Sequence, residues 1–473
     1  MKETLEHEVK LSVGPDFTLP PLRVEATPRH LRATYYDTDD LRLARYGVTL
    51  RRRDEDGRDL WQLKLRSGGD RLELEQPADG PVVPADFTRL VTAYARGGEL
   101  RPVAELHTLR RALRVTENGT PSAEVVHDTV DVHDGDRIVR SFSEVEIEQI
   151  ADGAERLVER LAKQLRAVGA QRSDDRPKLF QALDLPARGR PAVKRGAPAI
   201  EHLRSYLQAQ TDALLEHDPA ARRDDPAGVH GMRVATRRMR SALKEAGRLL
   251  DPGWVAETRS ELKWLADLLG EVRDADVFAG YVAERVAHLG EDAAEGGADL
   301  AALIREHSQP SRARLAAELE SPRYLALLDR LDAVDTALPV ARSHESMRRM
   351  LRRAARRGRR ELRRVSPASS DADLHRARIA AKRARYAAEL AETACGRRAR
   401  QLASRAKAIQ TLLGDHQDSV VAEGRLHDLS RDASPAAAFV AGRIVERERD
   451  RREADRAKLP RKAKSFFAAT RRV

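Results

Sequence analysis

The sequence predicts a chain in two parts, an α+β first half built on strands and an all-α second half. Apolar and charged residues alternate with a period of two in several segments up to about Leu183, which is the pattern of strands. From Ile200 onward Ala, Leu, Arg and Glu recur at helical spacing, and two blocks of this half are repeated. At 473 residues the chain also exceeds one ordinary core, so two domains are expected.

The composition favours an anionic partner, since the formal net charge is +11. An anionic partner of this kind could be nucleic acid, a phosphorylated metabolite, polyphosphate or an acidic membrane. Aromatic residues make up only 4%, which argues against recognition of stacked bases. The lone Cys395 excludes an internal disulfide and any multi-cysteine metal site. No apolar run approaches a membrane span, and the acidic N-terminus enters a strand pattern at once. We therefore expect a cytoplasmic protein with no membrane partner.

Individual elements of the first half follow from this alternation and from turn signals such as Asp56-Gly57 and Asp134-Gly135. The predicted strands are Val48–Arg53, Trp61–Arg66, Arg71–Glu75, Ala123–Val132 and Phe142–Ile150. A helix is predicted over Ala154–Gly169. The stretch Asp184–Pro198 is rich in Pro, Gly, Arg and Ala without periodicity, so it is interpreted as a linker. The expected domains are therefore residues 1–183 and 200–473, joined by residues 184–199.

Two rows of carboxylates are the most informative feature of the first half. In Glu6-His7-Glu8-Val9-Lys10, the residues Glu6, Glu8 and Lys10 share one face of a strand. The second row is Glu144, Glu146 and Glu148. Such rows repel one another in a shared interior unless a hard divalent cation or basic groups lie between them. Basic partners occur at strand spacing too, in a set that comprises Lys10, Arg51, Arg53, Lys64, Arg71 (with Glu73) and Arg110.

These charged faces have two interpretations. If the sheet closes on itself with the apolar face outward, the charges line an interior in which Arg and Lys bind phosphate oxygens. The carboxylates would then hold one or two Mg²⁺ or Mn²⁺ ions. The alternative is a half-exposed sheet whose solvated face carries ordinary cross-strand ion pairs. Charged strands with paired carboxylates at both ends of the half favour the closed sheet.

The helical half contains an internal repeat that predicts a basic stripe. The block from His230 to Arg240 matches the block from His375 to Arg385, and the block Lys263–Asp274 matches Lys407–Asp418 at nearly the same offset. At 100° per residue the His and its following Arg and Lys residues fall on one narrow arc. An exposed, solvated helix face is the alternative, but two copies led by His favour a surface for an extended polyanion. Without cysteines or an H-E-x-x-H pattern, a zinc site is not favoured.

The first half contains, in order, Glu6-x-Glu8-x-Lys10, Tyr36-Asp37-Thr38, Leu50–Arg53, Leu63-Lys64, Arg71-x-Glu73, Asp128 and Glu144-x-Glu146-x-Glu148. This ordered set resembles the CYTH superfamily, or triphosphate tunnel metalloenzymes. The resemblance covers about residues 2–183. It implies an eight-stranded antiparallel tunnel that cleaves or transforms a triphosphate group with a divalent metal. By position it implies metal ligands at Glu6, Glu8, Glu144 and Glu146, with Asp128 and Glu148 as further ligands. The catalytic set that it implies comprises Glu6, Glu8, Lys10, Glu144 and Glu146. It implies phosphate binding by Lys10, Arg51, Arg53, Lys64, Arg71, Glu73 and Arg110, and a basic residue near the tunnel mouth, for which Lys178 is the candidate.

The paired blocks of the helical half resemble the CHAD domain, over roughly residues 200–473. The resemblance implies two pseudo-symmetric four-helix bundles that bind inorganic polyphosphate along a basic groove. By position the groove residues would be His230, Arg233, Arg237, Arg240, Lys263, His375, Arg378, Lys382, Arg385 and Lys407. The basic run Arg342–Arg364 receives no assigned role.

The leading hypothesis is therefore an inorganic triphosphatase that depends on Mg²⁺ or Mn²⁺ and whose helical domain binds polyphosphate, with localisation to polyphosphate granules as one consequence. A non-catalytic polyphosphate-binding protein, an adenylate cyclase and a thiamine triphosphatase stay open as alternatives. Nucleic acid is a possible partner that the composition does not favour, and the sequence does not indicate an oligomeric state.

Overall fold

The computed structural model describes residues 1–473 except 7, 15, 21–27, 69, 118, 152, 174–175, 187–191, 342–344 and 472–473, and except the side chains of residues 5, 6, 450 and 453. The chain divides into two compact units, Met1–Arg190 and Pro191–Val473.

The described part of the first unit forms one antiparallel sheet of ten strands. The strands are β1 Lys2–Glu6, β2 Glu8–Val13, β3 Arg29–Asp37, β4 Thr49–Glu55, β5 Arg58–Ser67, β6 Asp70–Pro77, β7 Arg101–Glu117, β8 Thr120–Asp134, β9 Arg137–Gln149 and β10 Gln171–Arg172. Their order is β1-β6-β5-β4-β3-β7-β8-β9-β2-β10. Tight hairpins join β4 to β5, β5 to β6, β7 to β8 and β8 to β9, and the turn signals Asp56-Gly57 and Asp134-Gly135 mark two of them.

The N-terminal segment brings the two sides of this sheet together. Only residue 7 separates β1 from β2, yet β1 pairs with β6 and β2 pairs with β9. Two residues span at most about 7 Å, so β6 must lie beside β2, and a guanidinium nitrogen of Arg71 is indeed 3.8 Å from a carboxylate oxygen of Glu8. The sheet therefore curves round on itself and encloses one face. Ten strands are found where eight are expected because the first one is divided and β10 has two residues.

Four short helices accompany the sheet: α1 Arg42–Arg45, α2 Ala85–Ala95, α3 Glu155–Ala167 and α4 Lys178–Ala182. Helix α3 corresponds to the predicted helix, and its buried Leu157 and Leu161 pack against Leu11, Val145 and Ile147 of the sheet. These three strand residues alternate with the carboxylates and basic residues, so they lie on the opposite face. The apolar face thus points outward against a helix, as expected.

Helix α4 fills one end of the enclosed face. Its Leu179 and Phe180 pack against Tyr35, Leu106 and Val130, which share a strand face with Arg51, Arg110 and Asp128 respectively. The enclosed face is therefore charged over one part of its length and apolar over the other. The expectation of a charged interior holds only for the first part, because the apolar part provides the packing surface that fixes α4.

The second unit is helical in its described residues. Its helices are α5 Ala199–Arg222, α6 Pro226–Ala246, α7 Pro252–Ala287, α8 Ala294–Leu319, α9 Pro322–Asp332, α10 Val334–Ala337, α11 Met347–Leu362, α12 Asp371–Leu390, α13 Glu392–Cys395, α14 Arg397–Leu429 and α15 Pro435–Thr470. Many begin at a side-chain cap followed by Pro, as where the Asp225 side chain accepts from the Ala227 amide before α6.

The sequence repeat reappears as a repeated packing order. Helices α5, α6, α7 and α8 pack in succession, as do α11, α12, α14 and α15, and α6 contacts α12. A shared core joins the distal halves, with Phe278 of α7, Leu300 of α8, Leu426 of α14 and Ile444 of α15. Gly296 permits this close approach, because a Cβ there would lie 2.3 Å from the Ala436 carbonyl oxygen. Among the described residues, no helix combines the length and apolarity needed to cross a membrane.

Candidate functional site

Strand pairing alone assembles the acidic cluster of the first unit. On β2 and β9 the directly paired residues are Glu8 with Glu148, and Lys10 with Glu146. On β8 and β9, Asp128 pairs with Glu144. Directly paired residues project to the same side of a sheet, so these charges converge on the enclosed face. The period-two pattern in the sequence is sufficient to predict this convergence once the strand register is known.

Lys10 is buried within this cluster. Its Nζ donates to Glu146 Oε1 at 2.6 Å and lies 3.5 Å from Glu8 Oε1 and 4.0 Å from Glu144 Oε1. Burial alone would lower the pKa of Lys10, but the carboxylates of Glu146, Glu144 and Glu8 raise it above its usual value. Lys10 is therefore a permanent cation between the two acidic rows.

Lys178, the first residue of α4, is a second buried cation in the same cluster. Its Nζ lies 2.5 Å from Glu144 Oε1 and 3.0 Å from both Asp128 Oδ2 and Glu146 Oε1. Burial opposes its charge, but Glu144, Glu146 and Asp128 raise the pKa of Lys178 well above its usual value. The sequence analysis assigns this lysine to the tunnel mouth, and the structure adds that packing of α4 inside the sheet brings its ammonium into the acidic cluster.

Arg110 completes the set of cations around the cluster. Its guanidinium binds Asp128 with two hydrogen bonds of 2.9 and 2.7 Å and lies 3.4 Å from Glu146. Burial would raise the pKa of Glu146, yet Lys10, Lys178 and Arg110 hold it well below its usual range. Lys178 and Arg110 likewise lower the pKa of Asp128 against the effect of burial. Both acids are thus carboxylates at any ordinary pH.

The neighbouring carboxylates of Glu8 and Glu148 are less completely compensated. Burial and then the charge of Glu146 raise the pKa of Glu148, as expected for like charges two residues apart on the same face of one strand. One oxygen each from Glu8, Glu146 and Glu148 lies within 4.8 Å of the others, and the same holds for Asp128, Glu144 and Glu146. Three hard oxygen donors suit Mg²⁺ or Mn²⁺, so the first group fits a divalent cation. A lysine ammonium already supplies positive charge to each group, Lys10 to the first and Lys178 to the second.

On β4, β5 and β6, the basic residues of the interior lie in a hydrogen-bond network that includes residues the sequence analysis did not select. Buried Gln62 accepts from Arg51 Nε at 2.8 Å and donates to Glu73 at 2.9 Å and to Glu75. Arg51 also donates to the Tyr35 hydroxyl at 3.0 Å. Strand alternation places Gln62 and Glu75 on the predicted face, whereas Tyr35 lies on β3, a strand that was not predicted.

The remaining predicted residues of the first unit lie on the same face. Lys64 is 2.7 Å from Glu73, and Arg53 is 3.1 Å from Glu55. Arg71 approaches Glu8, as noted for the closure of the sheet. A further residue that sequence reasoning missed is Gln181 of α4, which donates to Glu144 Oε2 at 2.6 Å. The Glu6 backbone pairs with Arg71 in β1 and β6, but its side chain is outside the described part of the chain.

In the second unit, the stripes of α6 and α12 face each other. The guanidinium of Arg237 on α6 and that of Arg385 on α12 both lie near the Tyr386 ring, at 5.8 and 5.5 Å from its centroid. Arg238 of α6 and Arg385 of α12 also share one acid, Glu389, at 3.3 and 2.7 Å. We call the surface formed by His230, Arg233, Arg237, Arg240, His375, Arg378, Lys382 and Arg385 the groove.

Lys382 reports how positive the groove is. Burial and then the charges of Arg237, Arg378, Arg233 and Arg240 lower the pKa of Lys382 to about 7. Three of these four arginines belong to α6, so the two helices act on one lysine. The pKa of His230 is lowered for the same reasons, burial first and then nearby arginines.

The two repeated L-L-G blocks support the groove arginines. A Cβ at Gly270 would lie 3.9 Å from Arg233 Nη2, and one at Gly414 would lie 3.6 Å from Arg378 Nε. Asp274 accepts from Arg233 at 2.7 Å, whereas Arg378 Nε is buried without a hydrogen-bond partner among the described residues. The two arginines occupy equivalent positions in the repeats, but Arg233 is held by a hydrogen bond to Asp274 and Arg378 Nε is not held in this way.

Two further residues that the sequence assigns to the groove, Lys263 and Lys407, are exposed on other helices. Lys263 on α7 is exposed and pairs with Asp267 at 2.6 Å, and Lys407 on α14 is exposed. The basic run forms α11, whose Met350, Leu351 and Leu362 are buried while its arginines lie on the other face. Arg342 lies outside the described residues.

Family models match both halves of the chain, as a CYTH domain at residues 4–178 and a CHAD domain at residues 205–427. Uncharacterized protein Rv2226 of Mycobacterium tuberculosis is 32% identical over 502 aligned residues, which cover 98% of this chain and 96% of the relative. The chain belongs to the proteins that join a CYTH domain to a CHAD domain. The order of the two domains agrees with the resemblance drawn from the sequence.

Solved structures resemble each part of this CYTH–CHAD chain. The CHAD domain from the plant Ricinus communis has 26% identity and a TM-score of 0.48, covering 60% of this chain and 95% of its own. PptA from Streptomyces chartreusis has 21% identity and a TM-score of 0.45, with coverages of 58% and 99%. A protein from Hippeastrum, described as having a dominant triphosphatase activity, has 19% identity and a TM-score of 0.28, with coverages of 39% and 100%.

Proposed function

We propose that the CYTH domain hydrolyses inorganic triphosphate with Mg²⁺ or Mn²⁺ and that the CHAD domain binds inorganic polyphosphate. The observation that carries the proposal is the enclosed interior, in which a cluster of buried carboxylates that fits a cation lies on the same face as a set of Arg and Lys residues. Such an interior can accept a compact, highly charged anion only together with a cation that neutralises the acids.

Within this proposal Glu8, Glu146 and Glu148 hold the divalent cation, and Glu6 and Glu144 contribute from the same rows. When bound, the cation would polarise a phosphoryl group. The phosphate oxygens are bound by basic residues, which also orient the triphosphate, since planar guanidinium groups pair well with phosphate. These residues are Arg51, Arg53, Lys64, Arg71 and Arg110. Lys10 and Lys178 keep their charges throughout, so they neutralise negative charge and do not exchange protons.

The first experiment measures products from the full chain with Mg²⁺ or Mn²⁺ and, separately, tripolyphosphate, ATP, thiamine triphosphate and long-chain polyphosphate. We expect selective release of phosphate from tripolyphosphate. Cyclic AMP from ATP would indicate a cyclase instead, and preferential cleavage of thiamine triphosphate would indicate that substrate. Retention of nucleic acid that polyphosphate does not displace would contradict the binding part of the proposal, because both ligands release counterions and only competition separates them.

A variant pair tests the role of the acidic row. Glu8→Gln removes a charge from the group that fits a cation and should lower kcat by about 100-fold or more. Glu105→Gln is the matched control, since Glu105 is a half-exposed acid on β7 that pairs with His107 and lies 3.8 Å from Arg32. Equal activity of the two variants would contradict the assignment.

One observation favours a second candidate, a non-catalytic polyphosphate-binding protein. The Lys178 ammonium lies among Asp128, Glu144 and Glu146, where it competes with a cation for the same oxygens. Absence of turnover with every substrate, together with tight retention of long polyphosphate, would support this candidate and a role in attachment to polyphosphate granules.

A further inference from the structure

A cavity of about 920 Å³ lies in the second unit where α5, α11 and α14 begin. Its lining includes Pro198 and His202 of the α5 start, Met347 and Arg348 of the α11 start, and Arg397 of the α14 start. The residues that define the groove are not among the lining residues. The cavity is therefore a separate feature of the CHAD domain.

Helix N-termini give this cavity a positive electrostatic potential. Helices α5 and α14 have 24 and 33 residues, and in the described chain neither has a side-chain hydrogen bond at its cap, Pro198 or Gly396. The first amide groups of such helices lack intrahelical partners. Together with the helix dipole they favour a bound anion.

A buried histidine supplies an independent indication of a ligand. His202 is only 3% exposed, and both of its ring nitrogens lack a hydrogen-bond partner within the described residues. A buried polar group without a partner costs free energy and is rare in native proteins. Because His202 lines the cavity, a ligand with a hydrogen-bonding group there would remove this cost.

The remaining lining residues indicate the chemical class of the ligand. Arg195, Arg348, Arg397 and Arg398 contribute positive charge. One acid, Glu345, also lines the cavity, but its carboxylate is 2.7 Å from Arg353. The other walls include Ile200, Leu249, Met347 and Leu351, which suit an uncharged organic group better than a chain of phosphates.

We propose that this cavity is a second anion site, which binds an organic phosphate through its arginines, the α5 and α14 N-termini and His202. The phosphate would lie at the helix N-termini, and the organic part would contact the apolar wall. The site does not depend on the proposed activity of the first unit or on polyphosphate binding in the groove.

Cys395 provides a direct measurement, because it lines the cavity and is the one cysteine of the chain. Burial raises the pKa of its thiol, so its alkylation by iodoacetamide is slow enough to follow by mass spectrometry. With the full chain, we expect AMP, glucose 6-phosphate or glycerol 3-phosphate to slow alkylation at least fivefold. Adenosine and inorganic phosphate should protect much less. Unchanged alkylation with all three organic phosphates would overturn the proposal.

Variants separate this site from the groove and from a purely structural histidine. The double variant Arg397→Ala, Arg398→Ala should lose protection, whereas Arg405→Ala, an exposed arginine on the same helix, should keep it. His202→Phe should lose protection without a lower melting temperature, since it removes unpartnered buried nitrogens. Arg378→Ala should weaken polyphosphate binding and leave protection intact. Loss of protection in Arg378→Ala, or full protection in His202→Phe, would overturn the assignment.

Discussion

Lysines with opposite electrostatic behaviour distinguish the interior of the CYTH domain from the groove of the CHAD domain. Lys10 and Lys178 are more deeply buried than Lys382, yet their pKa values are raised while that of Lys382 is lowered to about 7. Burial disfavours the charge in all three cases, so the neighbours decide the outcome. In the interior the neighbours are carboxylates, and in the groove they are arginines.

This difference bears on what each region can bind. The interior has its charges largely compensated within the protein, so an anion must enter together with a cation or displace existing ion pairs. The groove has excess positive charge, and an anion relieves the repulsion directly. A polyanion should therefore bind the groove without a metal, whereas occupancy of the interior should depend on one.

The largest effect is expected from removing one compensating cation of the interior. Lys178→Met leaves the buried acids Asp128, Glu144 and Glu146 with less positive charge, so the first unit should lose about 3–5 kcal/mol of unfolding free energy. Mn²⁺ should restore part of this loss, because it can replace the ammonium. Urea unfolding with a chelator and with Mn²⁺ measures both effects.

Lys163→Met is the matched control for this prediction, since Lys163 is exposed on α3. It should change the unfolding free energy by less than about 0.5 kcal/mol. If Lys178→Met in chelator unfolds with the wild-type free energy, the buried acids of the interior do not need the Lys178 charge for stability, and the prediction is contradicted.

The next effect is a pH dependence of the groove. Lys382 loses its charge as the pH rises through about 7, and a bound polyphosphate would hold it protonated. Polyphosphate affinity should therefore fall by about tenfold between pH 6 and pH 8, with uptake of a proton on binding near neutral pH. Calorimetry in buffers of different ionisation enthalpy measures the proton. Lys382→Arg should abolish most of this uptake, and undiminished uptake in that variant would assign it to the histidines.

A smaller effect should separate the two repeats. Arg233 is held by Asp274, whereas Arg378 Nε has no hydrogen-bond partner in the described chain. Asp418 interacts with the charge of Arg378, but the described residues show no hydrogen bond between them. Arg378 is therefore held less firmly than Arg233 and can turn toward phosphate, so Arg378→Ala should weaken polyphosphate binding by roughly tenfold. Arg233→Ala should weaken it by a few-fold only. Binding titrations at one salt concentration compare them, and equal losses would contradict the inequality of the repeats.

The smallest effect is expected at Lys263. This exposed lysine pairs with Asp267 one helical turn away, and such surface pairs contribute about 0–1 kcal/mol. Lys263→Ala should change polyphosphate affinity by less than about twofold. If Lys263→Ala loses as much polyphosphate affinity as Arg378→Ala, Lys263 also contributes to polyphosphate binding.

Much of this arrangement can be predicted from local patterns in the sequence. Period-two alternation is sufficient to place Glu8 and Lys10 on one face of β2, and Glu146 and Glu148 on one face of β9, because each strand reverses its side chains at every residue. The basic stripe of the helical half can also be predicted from the sequence, since the pattern on α6 recurs on α12. Both the strand alternation and the basic stripe can be predicted because each depends on residues close together in the sequence and each occurs more than once.

Features that depend on long-range packing were not predicted. The position of Lys178 depends on how α4 folds back, and nothing in the residues around it specifies that path. The apolar part of the interior was also missed, since Leu106 and Val130 become its wall only once the register of β7 and β8 is known. Tyr35 was missed because its strand lacks a regular alternation of charge.

The packing of α4 also limits the direction from which a substrate could reach the acidic cluster. Leu179 and Phe180 pack inside one end of the sheet, so they occupy space there that a phosphate chain would need. Under the proposed function, a long chain would have to enter from the other end with its terminus first. Its terminal groups alone would then reach Glu146, and internal bonds would be protected from cleavage.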